Sequence, residues 1–104
     1  MESFERYGCE AEALASQQAR GLVPRPGYER QAKWIGEIGS INPKTLGKRK
    51  NYTYKIEIEV LPSTREWLKS FETKPTNEPG RYEISTDHLD EFNNTIRHLK
   101  VTKL

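Results

Sequence analysis

The sequence has little of what metal and disulfide sites need. Its 104 residues include one cysteine, Cys9, and two histidines, His88 and His98. One cysteine can form neither an internal disulfide nor a cysteine-based zinc site. A helical pair of metal-binding histidines would be about three or four residues apart, which these are not. We therefore expect no metal enzyme, and we interpret Cys9 as a half-buried residue at a strand-to-helix junction.

The chain also lacks a long apolar run and a strong charge of either sign. No stretch approaches the ~20 apolar residues of a membrane span, and no signal peptide opens the sequence. Lys and Arg number 17 against 15 Asp and Glu, and a net charge of +2 is too small to imply a nucleic-acid or membrane partner. Aromatic residues make up 10%, which argues against a disordered chain. We expect a single domain over residues 1–104, and its abrupt start is typical of a piece of a larger protein.

Hydrophobic periodicity predicts an α+β domain with the order β-α-loop-β-α-β-α-β. The clearest element is a strand over residues 52–60, where apolar and polar side chains alternate without exception. Its polar positions, Lys55, Glu57 and Glu59, are interpreted as solvated. Pro62 ends this strand, and Ser63 with Glu66 fits a capping box for a second helix.

The first elements are predicted from shorter patterns. A strand over residues 3–8 places Phe4 and Arg6 on one face. A helix follows over residues 10–20 and ends at Gly21 in a left-handed conformation. The residues expected on the buried face of this helix are Ala11, Leu14, Ala15 and Gln18.

The later elements are short and separated by loops. The segment 33–35 is apolar but of uncertain type, and residues 36–51 are predicted to form a long exposed loop with a basic cluster at 44–50. A strand is predicted over residues 81–85 and a last helix after it. That helix is expected to place Leu89, Phe92 and Ile96 on one face, and Leu99 and Val101 indicate a closing strand.

Several polar residues could carry chemistry. Arg6 is either an exposed sheet residue, which its position alone favours, or a fixed cation whose planar guanidinium would bind phosphate or carboxylate. Glu78, Glu83 and Glu91 are scattered around the last loop, strand and helix, and a carboxylate in a cleft could stabilise a cationic transition state. Asn93 either ends a frayed helix or directs its amide into a pocket.

Two sets of segments together resemble a known family. The opening FERYGCEAEA at residues 4–13, followed by GLVP at 21–24, resembles the first strand and helix of ADP-ribosyltransferase toxin domains. The segments KWIG at 33–36, NPK at 42–44, the strand at 54–60 and LDEFN at 89–93 are similar to small C-terminal domains of Rhs-type polymorphic toxins, the TreTu family in particular.

This resemblance implies a fold, an activity and partners. The fold would be a small ADP-ribosyltransferase-like domain with a split, mostly antiparallel sheet and short helices. The activity would be transfer of ADP-ribose from NAD, without a metal, to a bacterial cytoplasmic protein, elongation factor Tu, which blocks translation. The domain would be the toxin part of a secreted effector, delivered by type VI secretion into the target cytoplasm for interbacterial competition. An immunity protein would be its second partner, with no direct nucleic-acid or membrane partner.

The resemblance also implies roles for individual residues. Arg6 would hold NAD from the first strand, next to Tyr7 and Gly8. The acid is harder to place, because Ser85-Thr86 is the best match to the family's strand motif and only helix acids follow it. Glu83 is the first choice for the catalytic acid, and Glu91 is the second. The residues that would complete the NAD site are Trp34, Tyr52 and Tyr54, as aromatics around the nicotinamide, and Asn93.

Two other functions stay open at this point. A metal-independent ribonuclease toxin would use His88 and His98 with the basic cluster at 48–50. A non-catalytic binding module would recognise a partner through its strand edges and its basic loop.

Overall fold

The computed structural model describes residues 1–24, 27, 30–42, 52–70 and 80–104. The α+β class is confirmed. The helices and strands, in chain order, are β1 (Glu2–Gly8), α1 (Glu10–Ala19), β2 (Lys33–Glu37), β3 (Tyr54–Val60), α2 (Thr64–Ser70), β4 (Arg81–Ile84), α3 (Leu89–Asn94) and β5 (Ile96–Lys103). A single 3₁₀ turn, Thr86–His88, leads into α3. The uncertain segment at 33–35 is therefore the start of a strand.

The five strands form one antiparallel sheet in the order β4-β2-β1-β3-β5. β1 is central and pairs with β2 on one side and β3 on the other. The split sheet that the resemblance implies is not observed among the described strands.

One face of this sheet carries the core, and we call it the core face. Along β3, Ile56, Ile58 and Val60 are buried, and β1 adds Phe4 from the same face. Side chains from all three helices cover it, since Ala13, Leu68, Leu89 and Phe92 belong to the same cluster. The opposite, open face carries Glu5 and Tyr7 of β1 with Lys55 and Glu57 of β3. The alternation of faces predicted for both strands is confirmed, but in β1 the residues of the open face, Glu5 and Tyr7, are buried as well.

The predicted buried face of α1 is wrong. The expected face comprised Ala11, Leu14, Ala15 and Gln18. Instead Glu12, Ala13 and Ser16 are buried, and Leu14 is 47% exposed. The reason is that the Glu12 side chain binds cations on the core face. The small Ala13 and Ser16 side chains allow the helix to lie close to the sheet.

Both predicted helix caps differ in detail from the structure. Arg20, not Gly21, adopts the left-handed conformation that ends α1, with φ of 55°. The Ser63 capping box is wrong, because Ser63 has φ of 77° rather than the extended backbone of an N-cap. The Glu2 carboxylate accepts the Arg65 N–H at 2.7 Å, so a residue of β1 caps the start of α2.

The last helix is shorter than predicted. α3 ends at Asn94, and Ile96 begins β5 instead of continuing the helix. Leu89 and Phe92 are buried as predicted. The loop predicted over residues 36–51 is wrong at its start, because Gly36 and Glu37 belong to β2. Residues 43–51 with the basic cluster, and Glu78, lie outside the described residues. Within the described residues, no helix is long and apolar enough to cross a membrane.

Candidate functional site

Arg6 lies near the end of the central strand, on the core face. Its Nε donates to Glu12 Oε1 at 2.6 Å, and its Nη1 donates to the Trp34 carbonyl oxygen at 2.9 Å. The side chain is 16% exposed, so the interpretation as an exposed sheet residue is wrong. The guanidinium is held from two directions, as the alternative of a fixed cation requires.

A second cation shares the same carboxylate oxygen. Lys33, the first residue of β2, donates from Nζ to Glu12 Oε1 at 3.0 Å. The Lys33 and Glu12 side chains are only 4% and 3% exposed. We call these residues the Arg6–Glu12–Lys33 cluster. With all three groups ionised, two cations face one carboxylate, so the cluster carries one positive charge in excess.

Burial and charge set the protonation of the cluster. Burial acts to raise the pKa of Glu12, but the hydrogen bond and charge of Arg6, joined by those of Lys33, hold that pKa below its ordinary value. Burial and the neighbouring Arg6 charge lower the pKa of Lys33, and Glu12 opposes them only in part. The carboxylate is therefore firmly ionised, while the lysine is the member of the cluster that gives up its proton more readily than usual.

The local backbone leaves room for this arrangement. Gly8 ends β1, and a Cβ at this position would lie 3.0 Å from Glu12 Oε2. Cys9 is the N-cap of α1 and is half-buried, as predicted, but its side chain makes no capping hydrogen bond. Tyr54, the first residue of β3, pairs with Gly8 and is half-buried. The structure thus brings Arg6, Gly8, Tyr54 and the Trp34 backbone to one end of the sheet.

Other residues predicted for the NAD site lie apart from the guanidinium. Tyr7 is buried on the open face, where burial and then the Glu5 charge raise its pKa. The Trp34 side chain is 43% exposed, and its register partner on β4 is Glu83. This pair lies on the open face, because Ile35 and Tyr82 on either side belong to the core. Tyr52 is half-buried just before β3.

Neither acid predicted from the sequence contacts Arg6. Glu83 is on the opposite face of the sheet, and Glu91 is exposed on α3. Among the described residues, Arg6 is bound by Glu12 and the Trp34 carbonyl alone. The sequence analysis singled out neither Glu12 nor Lys33 as a functional residue. No local signal could have found the buried face of α1, because Ala11, Ala15 and Ala19 elsewhere on this helix are as small as the buried Ala13 and Ser16.

Asn93 holds the backbone of a distant segment. Its Oδ1 accepts the Leu22 N–H at 2.9 Å, and its Nδ2 donates to the Leu22 carbonyl oxygen at 2.8 Å. A Cβ on Gly21 would lie 2.9 Å from Asn93 Cγ, so glycine is needed for this close approach. Both alternatives for Asn93, a frayed helix end and a free amide in a pocket, are wrong. The residue ties α3 to the segment after α1.

The two histidines lie on opposite sides of the sheet. His88 Nδ1 lies 2.9 Å from Ser85 Oγ, and the His88 ring packs edge-on against Trp67 on the helix-covered side of the sheet. His98 pairs with Glu59 and lines a cleft of about 580 Å³ on the open face, with Lys100 beside it. The structure therefore does not place them where one phosphodiester would contact both.

Among the described residues, no group of three or more His, Cys, Asp or Glu side chains is arranged to hold a metal ion. Comparison of the chain with protein-family models, curated proteins and solved structures finds no match. A function for this chain therefore has to be inferred from its own residues and their geometry.

Proposed function

We propose that this domain is a toxin that transfers ADP-ribose from NAD to a bacterial cytoplasmic protein, with elongation factor Tu as the target. The observation that supports it best is the fixed guanidinium of Arg6. Arg6 is the residue to which the sequence resemblance assigns NAD, and a planar fork held in place suits a phosphate or ribose contact. The antiparallel strands and short helices agree with the coarse features of an ADP-ribosyltransferase-like fold, whereas the described strands form one sheet rather than a split one.

The reaction would break one bond and form another at the same carbon. The bond between the nicotinamide nitrogen and ribose C1′ breaks, and nicotinamide leaves with the bonding electrons. The acceptor on the target protein bonds to C1′ and releases its proton to a base or to water. Positive charge develops on the sugar between these events, and a nearby carboxylate would stabilise it.

Glu83 and Glu91 are the candidates for that carboxylate. Glu83 lies beside the exposed Trp34 ring, a surface on which a flat heterocycle such as nicotinamide can stack, but on the face of the sheet opposite Arg6, so NAD would have to extend past the sheet to contact both residues. Glu91 is exposed on α3, on the helix-covered side of the sheet. Substituting each by Gln and measuring nicotinamide release would assign the role, since the catalytic acid alone should be required for turnover.

In this proposal the domain belongs to a larger Rhs-type effector. Secretion would deliver it into the cytoplasm of a competing cell, where the target protein is found. A cognate immunity protein would protect the producing cell by covering the site around Arg6.

The direct test is to incubate the domain with labelled NAD and a bacterial extract. We expect one protein band to become labelled, and nicotinamide to be released. Arg6→Lys should lower turnover about 10²-fold, the scale of losing one oriented donor at a charged transition state, because lysine keeps the charge beside Glu12 but loses the fork. Arg97→Lys is the matched control, since Arg97 is exposed on β5 and, within the described part of the chain, bonds only the carbonyl oxygens of Asn94 and Ile96.

Thermal melts should show that both variants stay folded. If neither label nor nicotinamide appears with the parent domain, the proposed activity is wrong. If Arg6→Lys turns over like Arg97→Lys, Arg6 does not contact NAD.

A further inference from the structure

The excess charge of the Arg6–Glu12–Lys33 cluster has no counterpart among the described residues. Arg6 and Lys33 both donate to one oxygen of Glu12. No other acidic side chain in the described ranges is ion-paired with either cation. The cluster is also largely out of water, since the most exposed of its three side chains, Arg6, is 16% exposed.

A buried cation without an anion is costly in a medium of low dielectric constant. Two outcomes remove that cost. Lys33 can lose its proton, which its lowered pKa makes easier than for an ordinary lysine. Alternatively, an external anion can bind and balance the charge. The second outcome makes the cluster a binding site.

We propose that the Arg6–Glu12–Lys33 cluster binds a phosphoryl group, with Lys33 as its second cation and Glu12 as its internal counter-ion. A phosphoryl group in a diphosphate carries about one negative charge per phosphorus and has oxygens in several directions. One can accept from Nη2 of Arg6, for which the described residues provide no acceptor, and another can be bound by the point charge of Lys33. That this group is the diphosphate of NAD rests on the proposed function, whereas the phosphoryl site itself rests on the charges and contacts of these three side chains.

An anion would have to approach the cluster from the side of Arg6. Arg6 is its most exposed member at 16%, while the Lys33 and Glu12 side chains are 4% and 3% exposed. The first turn of α1 begins at the same end of β1, and its N-cap, Cys9, offers no side-chain acceptor to the helix N–H groups. A helix start of this kind adds a favourable field for a negative charge.

The test is calorimetric titration of the domain with inorganic pyrophosphate at low ionic strength. Lys33→Met removes the second cation and keeps an unbranched side chain of similar length, and we expect binding at least about 10-fold weaker. Lys100→Met, on the open face of β5, is the matched control and should change the Kd less than about 2-fold. Because a bound anion requires protonated Lys33, the parent's affinity should also fall as the pH rises through the pKa of Lys33, which is lower than the ordinary pKa of a lysine.

Lys33→Met should remain folded, since it leaves Glu12 paired with Arg6 in a neutral cluster. If it does not melt cooperatively, Lys33→Gln replaces it in the titration with the same expected loss. Glu12→Gln, titrated at a temperature where its melt shows it to be folded, gives an independent reading, because removing the counter-ion should tighten pyrophosphate binding while Lys33→Met weakens it. Absence of binding to the parent, or an equal loss in Lys100→Met, would overturn the proposal.

Failure of this inference is distinguishable from failure of the proposed function. Pyrophosphate that binds through Lys33 to a domain with no NAD turnover supports the phosphoryl site and contradicts the transferase. NAD turnover that is equal in the parent and in Lys33→Met, with no pyrophosphate binding, contradicts the site and supports the transferase.

Discussion

Glu12 is the residue on which the buried charges of this domain depend. Its carboxylate neutralises one of two cations that would otherwise be buried without a partner. Removing one member of a buried ion pair typically costs about 3–5 kcal/mol, because the remaining charge is uncompensated. The net gain from forming such a cluster is much smaller, since all three groups lose hydration when the chain folds.

Glu12→Gln should therefore lower stability, and in a pH-dependent way. The folded-state pKa of Glu12 is lowered, so its ionised form stabilises the fold above its unfolded pKa, and that stability is lost as the pH falls through the folded value. We expect the variant to lose about 3–5 kcal/mol of unfolding free energy at pH 7. Its stability should also change less than the parent's upon acidification. Urea denaturation at several pH values from neutral down to about pH 3 measures both effects.

The control for this prediction is Glu66→Gln, because Glu66 is exposed on α2 and its nearest cation, Lys69, is 3.9 Å away. Its unfolding free energy should match that of the parent at every pH. An acid dependence in Glu12→Gln equal to that of the parent would mean that other carboxyl groups control acid stability.

Sequence reasoning found Arg6 but not its partners, for a physical reason. The resemblance identified Arg6 as a fixed cation, whereas its position alone favoured an exposed sheet residue. Glu12 and Lys33 are 21 residues apart and meet only after β1 and β2 have paired and α1 has docked. The bond between Asn93 and Leu22 spans 71 residues and is equally invisible in any local pattern. Contacts of this range depend on the strand order, which periodicity does not contain.

At the scale of elements, β3 and α1 show when a pattern can be trusted. Three β-branched residues of β3, Ile56, Ile58 and Val60, alternate with polar ones, and the strand could be predicted with its buried face. In α1 the buried residues are two small ones and a glutamate, and the largest apolar residue, Leu14, is exposed. A hydrophobicity pattern cannot identify such a face, because the helix is held by buried ion pairs and close approach instead.

Two substitutions in neighbouring positions of α1 test the observed face. Ala13→Leu places a larger side chain at a site with no exposed surface and should destabilise the fold by about 1–3 kcal/mol. Leu14→Lys changes an exposed position and should stay within about 0.5 kcal/mol of the parent. Chemical denaturation followed by circular dichroism measures both. The opposite ranking would restore the face that the sequence pattern predicted.

At the scale of the whole molecule, β1 connects the core with two charged groups on the core face. They are the Arg6–Glu12–Lys33 cluster and the ion pairs that Arg65 forms with Glu2 and Glu37. Phe4, in the middle of β1, packs edge-on against Tyr82, with 5.8 Å between the ring centroids. The Arg65 guanidinium carbon lies over the Phe4 ring, 5.5 Å from its centroid. Toward one end, Arg65 bonds both oxygens of Glu37 and lies near Glu2. Toward the other end lies Arg6. The candidate site is therefore built on the most enclosed strand of the sheet, which favours a rigid, preorganised guanidinium.

The α+β class and most strands could be predicted, but the central place of β1 could not. Local patterns indicate where a strand lies and which face it buries. The order β4-β2-β1-β3-β5 arises from pairings between segments far apart in the chain, such as β1 with β3. Arg6 is fixed because β1 is central. Its contacts could therefore not be predicted either, since local patterns do not contain the strand order.

Native-state hydrogen exchange should reveal this organisation directly. β1 and β3 are paired on both sides, whereas β4 and β5 are the edges of the described sheet. We expect the slowest exchange in β1 and β3, at a rate set by global unfolding, and faster exchange in β4 and β5 through local opening. Ile58→Ala, which removes a side chain that is 1% exposed, should cost about 2–5 kcal/mol and accelerate all the slowest amides together. Val101→Ala, at a half-buried position of β5, should mainly accelerate its own strand, and equal protection of β5 and β1 would show that another part of the chain covers that edge.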